Sequence, residues 1–319
     1  MKNIYNILKE NIPLFNTISI GTTSWCNRSC KFCGFGYFEK PKETMKEEIF
    51  NKFIQDLKNI KYNGRVELYS YNEPLTDPFL TKRIKLVRRE LNNVCIMFNT
   101  NGDFLTKGKL EEFFDAGLNQ IEINVYSREQ NLLKFAKWAF ELKEKYNLFL
   151  GEKIYSKIGK DKHSLDIIDK TQFLIKGNKS VFQEKRSPVY NILGNNGGVL
   201  NGLLKGMKPG NQEKNCMLPY RKATIDWKGN VVLCCNDFLY KIKIGNIMKN
   251  TIKELWNSEF YNFYRLHLQN IGRKKLELCR ECNRIEGFYT YNFPKVTFGS
   301  EEIDKELLKY KSEEYEKSN

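Results

Sequence analysis

A chain of 319 residues with 41% hydrophobic content has room for a sizeable core, either two domains or one large α/β barrel with an addition. No apolar run approaches the roughly eighteen residues needed to cross a bilayer, and Met1 to Phe15 lacks the basic start and apolar stretch of a secretory signal, so the composition reads as a soluble cytoplasmic protein with no membrane partner. The formal net charge of +15 comes from lysines and arginines spread along the chain without a long basic block, which reads first as a solvated surface and argues against a dedicated nucleic-acid face.

In chain order, Thr17–Thr22 reads as a short strand. Thr44-Met45-Lys46-Glu47 has the spacing of a capping box, and Met45, Ile49, Phe50, Phe53, Ile54 and Leu57 then recur at helical spacing. Arg65–Tyr71 reads as a strand and Leu80 to Leu91 as a helix. Val94–Phe98 is an apolar strand ended by Asn99-Thr100-Asn101-Gly102, and Cys95 within it reads as a small core residue. Leu110 to Ala116 is helical with Gly117 as its cap, Ile121–Tyr126 a strand, Gln130 to Tyr146 an amphipathic helix, and Leu148–Ile154 a further strand. Strand and helix alternating at this spacing predict a parallel sheet with crossover helices. About six repeats fit before residue 210, short of a complete eight-fold barrel, so the expected fold is α/β, a partial (β/α)6 TIM-like barrel, with its chemistry on the loops after the strands. A glycine-dense connector runs from Gly194 to Gly210. A small second unit comes next, over 211–288, with a hairpin of Ala223–Asp226 and Val231–Leu233 around Lys228-Gly229-Asn230 and a helix from the capping box Thr251-Ile252-Lys253-Glu254 through Leu268. Residues 289–319 form a polar tail.

The nine cysteines are clustered, which in a long chain without a secretory signal points to metal rather than to disulfides. The two histidines, His163 and His267, stand apart from the cysteine groups, so mixed Cys/His zinc sites and a histidine general base are both disfavoured. Cys26, Cys30 and Cys33 form a Cys-x3-Cys-x2-Cys loop directly after the first strand. Three thiolates leave one iron of a cubane open to a ligand, whereas a structural zinc knuckle needs a fourth ligand that is not available nearby. The loop, with Phe32 as the aromatic residue before the last cysteine, resembles the signature of the radical S-adenosylmethionine (SAM) superfamily. The resemblance implies that the open iron chelates the amine and carboxylate of SAM, and that electron transfer cleaves SAM to a 5′-deoxyadenosyl radical that abstracts a substrate hydrogen.

The resemblance implies further landmarks. Tyr71-Asn72-Glu73-Pro74 stands where the family has Gly-Gly-Glu-Pro; both glycines are replaced, but Glu73 is retained and can accept from the methionine amine. Asn101 is implied near SAM, Asn124 and Ser127 near its ribose, and Arg186 and Asn191 near its carboxylate. Cys216, Cys234, Cys279 and Cys282 can close a second site of four thiolates. From spacing alone zinc leads and an iron–sulfur cluster is the alternative. The arrangement resembles the family's SPASM domain, more closely its shortened twitch form, which implies one auxiliary [4Fe–4S] cluster. Cys235 adjoins a ligand. It reads as a hydrogen-atom donor to a substrate radical, as an inert packed thiol, or as the ligand in place of Cys234.

The resemblance, which spans about Thr17 to Phe288, implies an oxidoreductase that takes two electrons from a sugar-like or peptide substrate and draws its first electron from a donor such as flavodoxin or ferredoxin. An epimerase or peptide-modifying enzyme using Cys235 is the nearest rival. A zinc-containing nucleic-acid-binding protein is a third reading, but it leaves the open three-cysteine loop unexplained.

Overall fold

The computed structural model describes residues 12–30, 32–125, 129–155, 170–176, 197–203, 209–210, 216–270 and 272–283. Strand β1 (Thr17–Ile20) leads through the cysteine loop to helix α1 (Glu47–Asn59). Then come β2 (Arg65–Glu67), α2 (Leu80–Glu90), β3 (Cys95–Thr100), α3 (Lys107–Asp115), β4 (Gln120–Val125), α4 (Glu129–Tyr146), β5 (Phe149–Tyr155) and β6 (Lys170–Lys176). The second unit adds α5 (Leu218–Arg221), β7 (Lys222–Ile225), β8 (Asn230–Val232), β9 (Lys243–Asn246), α6 (Ile252–Trp256), α7 (Glu259–Asn270) and α8 (Glu277–Glu281).

All the described strands lie in one sheet, in the order β5-β6-β4-β3-β2-β1-β7-β8-β9. The run from β4 to β7 is parallel, with helices as crossovers, and this is the expected α/β partial barrel. Its edges differ in detail from six uniform repeats. The strands β5 and β6 close one edge antiparallel, while at the other β7 pairs in parallel with β1 and then turns into the expected hairpin with β8. The second unit therefore extends the barrel sheet.

The apolar positions read at helical spacing are the buried face of α1: Ile49, Phe50, Phe53, Ile54 and Leu57 are all buried, each worth roughly 1.5–3 kcal/mol relative to exposure. The capping box expected at Thr44 does not form. Thr44 instead bridges Thr23, and the helix begins after Lys46, which makes no side-chain cap. The box at Thr251 does form, with Glu254 N donating to Thr251 Oγ1 at 3.2 Å and Thr251 N to Glu254 Oε2 at 2.7 Å. The single helix expected through Leu268 is two, because Ser258 interrupts it: its hydroxyl accepts from Tyr261 N at 3.3 Å and opens α7. In the connector, Gly197 and Gly198 have φ of +66° and +92°, and a Cβ on either would stand 2.5 Å from Asn236 O or 2.3 Å from Glu281 Cβ. Only glycine lets this backbone lie against the second unit.

Candidate active site

Cys26, Cys30 and Cys33 sit on the loop that leaves the C-terminal end of β1. Its base is sealed by the Thr23–Thr44 bridge and by Met45 N donating to Thr22 O at 2.8 Å. Within it, Cys33 N donates to Cys30 O at 2.9 Å, and a 3-10 turn, Gly34–Gly36, comes next. Two contacts fix the loop to the barrel. Glu73 N donates to Trp25 O at 3.0 Å, and Asp103 accepts from Arg28 Nε at 2.6 Å and Asn27 Nδ2 at 2.8 Å. The three thiols are half-buried, and burial pushes all of them up, Cys26 to about 11. A thiophilic metal must therefore displace protons to gain its thiolates.

Glu73 is buried beside this loop. Its Oε1 accepts from Thr100 Oγ1 at 2.5 Å and Leu75 N at 3.1 Å, and its Oε2 from Asn101 N at 2.8 Å. Burial raises its carboxyl above the usual range, partly offset by those donors. Asn101 Nδ2 donates to Asn27 Oδ1 at 2.8 Å and lies 3.8 Å from Cys26 Sγ. Glu73, Asn101 and Cys26 are thus brought together. Phe32 is half-buried in the loop, and Asn124 is buried near the end of β4. Ser127, Arg186 and Asn191 lie outside the described residues.

The strand registers divide the sheet into two unlike faces. Ile18, Ile20, Val66, Leu68, Ile96, Phe98, Ile121, Ile123, Ala223 and Ile225 share one parity and are buried. The opposite parity carries Thr17, Ser19, Arg65, Glu67, Asn99, Gln120, Glu122, Asn124, Lys222 and Thr224, with Cys95 and Met97 among them. A parallel sheet covered on both faces has near-continuous apolar strands, so a buried polar face marks a lumen built for polar contents. Lys222 Nζ stands 2.6 Å from Glu67 Oε2 on this face, and Ser19 Oγ donates to the same oxygen at 2.7 Å. Burial opposes charge on Glu67, but Lys222 outweighs it and holds the carboxyl below its ordinary value. Tyr69 flanks the pair, its ring 5.8 Å from the Lys222 ammonium.

Cys216 precedes α5, Cys234 lies just after β8, Cys279 lies in α8, and Cys282 caps it. All four line one cavity, together with Leu233, Leu268, Leu278, Asn236 and Arg273. Asn236 N lies 3.3 Å from Cys234 Sγ. Burial holds the Cys279 thiol far above its usual range, and contact with Cys235, then burial, does the same to Cys234. Cys235 is not on the cavity wall. Among the described residues, no three His, Cys, Asp or Glu side chains converge on a point for a single metal ion. Four thiols around one largely apolar cavity suit a group that takes four thiolate ligands, as a [4Fe–4S] cluster or a zinc ion does.

Between the two cysteine sets lies a cluster that sequence reasoning missed. Lys40 Nζ donates to Phe238 O at 2.6 Å and lies 3.9 Å from the Phe238 ring centre and 4.1 Å from that of Tyr240. Phe35 and Tyr71 close the cage at 5.4 and 5.5 Å. Burial pulls the Lys40 ammonium down to about 7. A lysine and four aromatics drawn from three distant stretches of chain carry no local signal; only the docking of the hairpin on the loop joins them.

The model of the radical SAM superfamily matches residues 20–144, and that of an iron–sulfur cluster-binding domain, SPASM, matches residues 216–283. The two regions bracket the two cysteine sets. The chain belongs to the radical SAM superfamily and carries a C-terminal SPASM domain. This radical SAM enzyme is 25% identical over 275 residues to the S-adenosyl-L-methionine-dependent 2-deoxy-scyllo-inosamine dehydrogenase of Niallia circulans, covering 85% of this chain and 94% of the relative. Its fold is that of BtrN in complex with AdoMet and 2-DOIA (TM-score 0.61, 22% identity, 88% of this chain and 98% of that one). BtrN in an open conformation is similar too (TM-score 0.56, 20% identity, 85% and 94%). With the family come SAM, the [4Fe–4S] cluster that binds it, and an auxiliary cluster. No helix among the described residues is long and apolar enough to cross a membrane.

Proposed function

We propose that this radical SAM enzyme oxidises a carbinol carbon of a small, sugar-like substrate held against the polar face of the barrel. The observation that carries the reading is that face: buried carboxylates and amides and a half-buried lysine share one side of the parallel sheet, suited to a ligand rich in hydroxyl or amino groups. The Niallia circulans relative, whose name gives a dehydrogenase of 2-deoxy-scyllo-inosamine, supports the same substrate class here. Cys26, Cys30 and Cys33 would hold the SAM-binding cluster, and Cys216, Cys234, Cys279 and Cys282 the auxiliary one. When bound, SAM and the two clusters supply hydrogen-atom abstraction and a sink for the second electron, while the hydroxyl proton leaves to a base.

The chain's own residues bind and orient. Glu73, already held by three donors, keeps lone-pair capacity for the SAM amine, and Asn101 stands beside Cys26 to help seat the same group. Phe32, Asn124, Ser127, Arg186 and Asn191 complete the proposed SAM contacts. A flavodoxin- or ferredoxin-like donor in the cytoplasm would supply the first electron, and the division between barrel and auxiliary unit is drawn near residue 210. The deciding experiment is iron, sulfide and zinc per chain after anaerobic reconstitution of a Cys26/Cys30/Cys33→Ala triple variant. About four irons with matching sulfide are expected. Zinc without iron would overturn the auxiliary-cluster reading.

One observation favours a second reading. Cys235 touches Cys234 and lies within electrostatic reach of Tyr69, Tyr71 and Lys222, on the lumen side of the hairpin. A thiol there could return a hydrogen atom to a substrate radical, giving epimerisation. Replacing Cys235 with Ala and running the reaction in D2O separates the two. Unchanged product from the variant, with no solvent deuterium at carbon in the wild type, sinks the donor role.

A further inference from the structure

Arg273 is 1% exposed and lines the four-cysteine cavity. Its Nη1 donates to Cys282 O at 3.4 Å, while Nε and Nη2 have no hydrogen-bond partner among the described residues. No carboxylate lies within ion-pair distance of it among the described residues, and the cavity wall carries no acidic side chain. An isolated buried guanidinium costs several kcal/mol unless an anion and hydrogen-bond acceptors meet it. The remaining polar side chain on the wall, Asn236, directs Nδ2 to within 3.8 Å of Cys234 Sγ, so a second donor side chain lines the cavity beside Arg273.

We infer that Arg273 is the counter-charge of the auxiliary cluster, donating N–H groups to its sulfurs and raising its reduction potential. This rests on the assignment of that cluster to Cys216, Cys234, Cys279 and Cys282. An oxidised [4Fe–4S] core with four thiolates is dianionic and becomes trianionic on taking one electron. A fixed cation with free N–H donors favours the more negative state, and net charge and hydrogen bonds to sulfur are the levers that set such potentials. The consequence suits the proposed oxidation: the group that must accept an electron from the substrate is made a better acceptor. Arg273 touches the cluster's surroundings and not the substrate, so it acts as a positioning and tuning residue.

The test uses the full chain carrying Cys26/Cys30/Cys33→Ala, so that any iron belongs to the second set. Its iron and sulfide are measured first; a parent holding zinc and no iron refutes the cluster assignment itself, before Arg273 is touched. Given a parent with iron, Arg273→Met and Arg273→Lys are reconstituted and titrated electrochemically with EPR detection. The expected result is a tenfold or greater fall in the reduction equilibrium constant for Arg273→Met, about 59 mV for a one-electron couple, with a smaller fall for Arg273→Lys, which keeps the charge. Loss of iron from Arg273→Met with retention in Arg273→Lys also supports the inference, because charge is then what the cluster needs. An Arg273→Met equilibrium constant within threefold of the parent, or equal loss of iron from both variants, overturns it while leaving the cluster assignment standing.

Discussion

Gly34→Ala tests whether the cysteine loop and the C-terminal hairpin are one packed unit. A Cβ at Gly34 would stand 2.4, 2.5 and 2.7 Å from three carbons of the Phe238 ring, against about 3.5–4.0 Å for relaxed carbon contact. The ring has little freedom to retreat. It is fully buried, meets Phe35 edge-on at 5.3 Å and Tyr71 at 4.9 Å, and carries Lys40 on its face. Gly34 itself has no left-handed φ, so the whole cost is steric. Overpacking a rigid site costs about 2–3 kcal/mol, and at about 2 °C per kcal/mol for a chain of this size the melting temperature of the cluster-free protein falls by about 4–6 °C. Thermal melts of wild type, Gly34→Ala, Phe238→Ala and the double variant form a cycle. Phe238→Ala alone costs about 3–5 kcal/mol. On that background the added methyl enters space the ring has vacated and costs less than about 0.5 kcal/mol, giving strong coupling. An equal penalty for Gly34→Ala in both backgrounds, or none in either, refutes the argument that Phe238 is the obstacle.

Lys222→Met removes the ion-pair partner of buried Glu67, leaving it the Ser19 hydroxyl and the charge of Arg65, and should destabilise the protein by about 3–5 kcal/mol in urea titrations at pH 7. Because Lys222 holds the Glu67 carboxyl below 4.5, the pair's stabilisation is present above that value and is lost as pH falls through the depressed one. The variant's Glu67, without its partner, takes up a proton at higher pH, so the gap between wild type and variant should narrow between pH 7 and pH 5; a constant gap would show that Glu67 is not the group left stranded. Glu73→Gln should keep the iron of the three-cysteine loop, since Glu73 is not one of the proposed ligands, but weaken SAM binding at least tenfold in equilibrium dialysis, as expected for losing a charge-assisted hydrogen bond. SAM binding at wild-type strength would remove Glu73 from the amine site.

The features legible in the sequence were local or carried by the cysteines. Each stretch read as a strand from Thr17 to Val125 contains one, although the strand expected over Arg65–Tyr71 stops at Glu67, and the apolar spacing from Ile49 to Leu57 is the buried face of a helix. The seven proposed ligands fall into a loop and a cavity because cysteine spacing is a covalent fact. The failures have identifiable causes. Thr44 has the composition of a cap, but strand pairing with Thr23 competes for its backbone and wins. Ser258 splits a continuous helical pattern by capping the first turn of α7. Lys40 and Arg273 were missed because a lone cation in a Lys-rich sequence reads as surface, and no neighbour in the chain says that either is buried.

The polar face shows how the meaning of a strand pattern depends on topology. Thr-Ile-Ser-Ile, Arg-Val-Glu-Leu and Gln-Ile-Glu-Ile-Asn each alternate, and alternation in a single strand ordinarily means one dry face and one wet one. Here the strands are parallel and crossed by helices, so the wet face cannot be the outside: the helices take the apolar residues, and the polar half must turn inward. Strand pattern and topology are each readable alone, and their conflict locates the lumen. The conflict also explains why the two cysteine sets need a common scaffold. Parallel pairing of β7 with β1 carries Lys222 into the same face as Glu67, and the hairpin beyond it delivers Cys234 on one side and Phe238 against the Cys33 loop on the other. Moving β7 by one residue would turn Lys222 outward and strand Glu67, so the register that completes the lumen also fixes where the second cysteine set stands relative to the first.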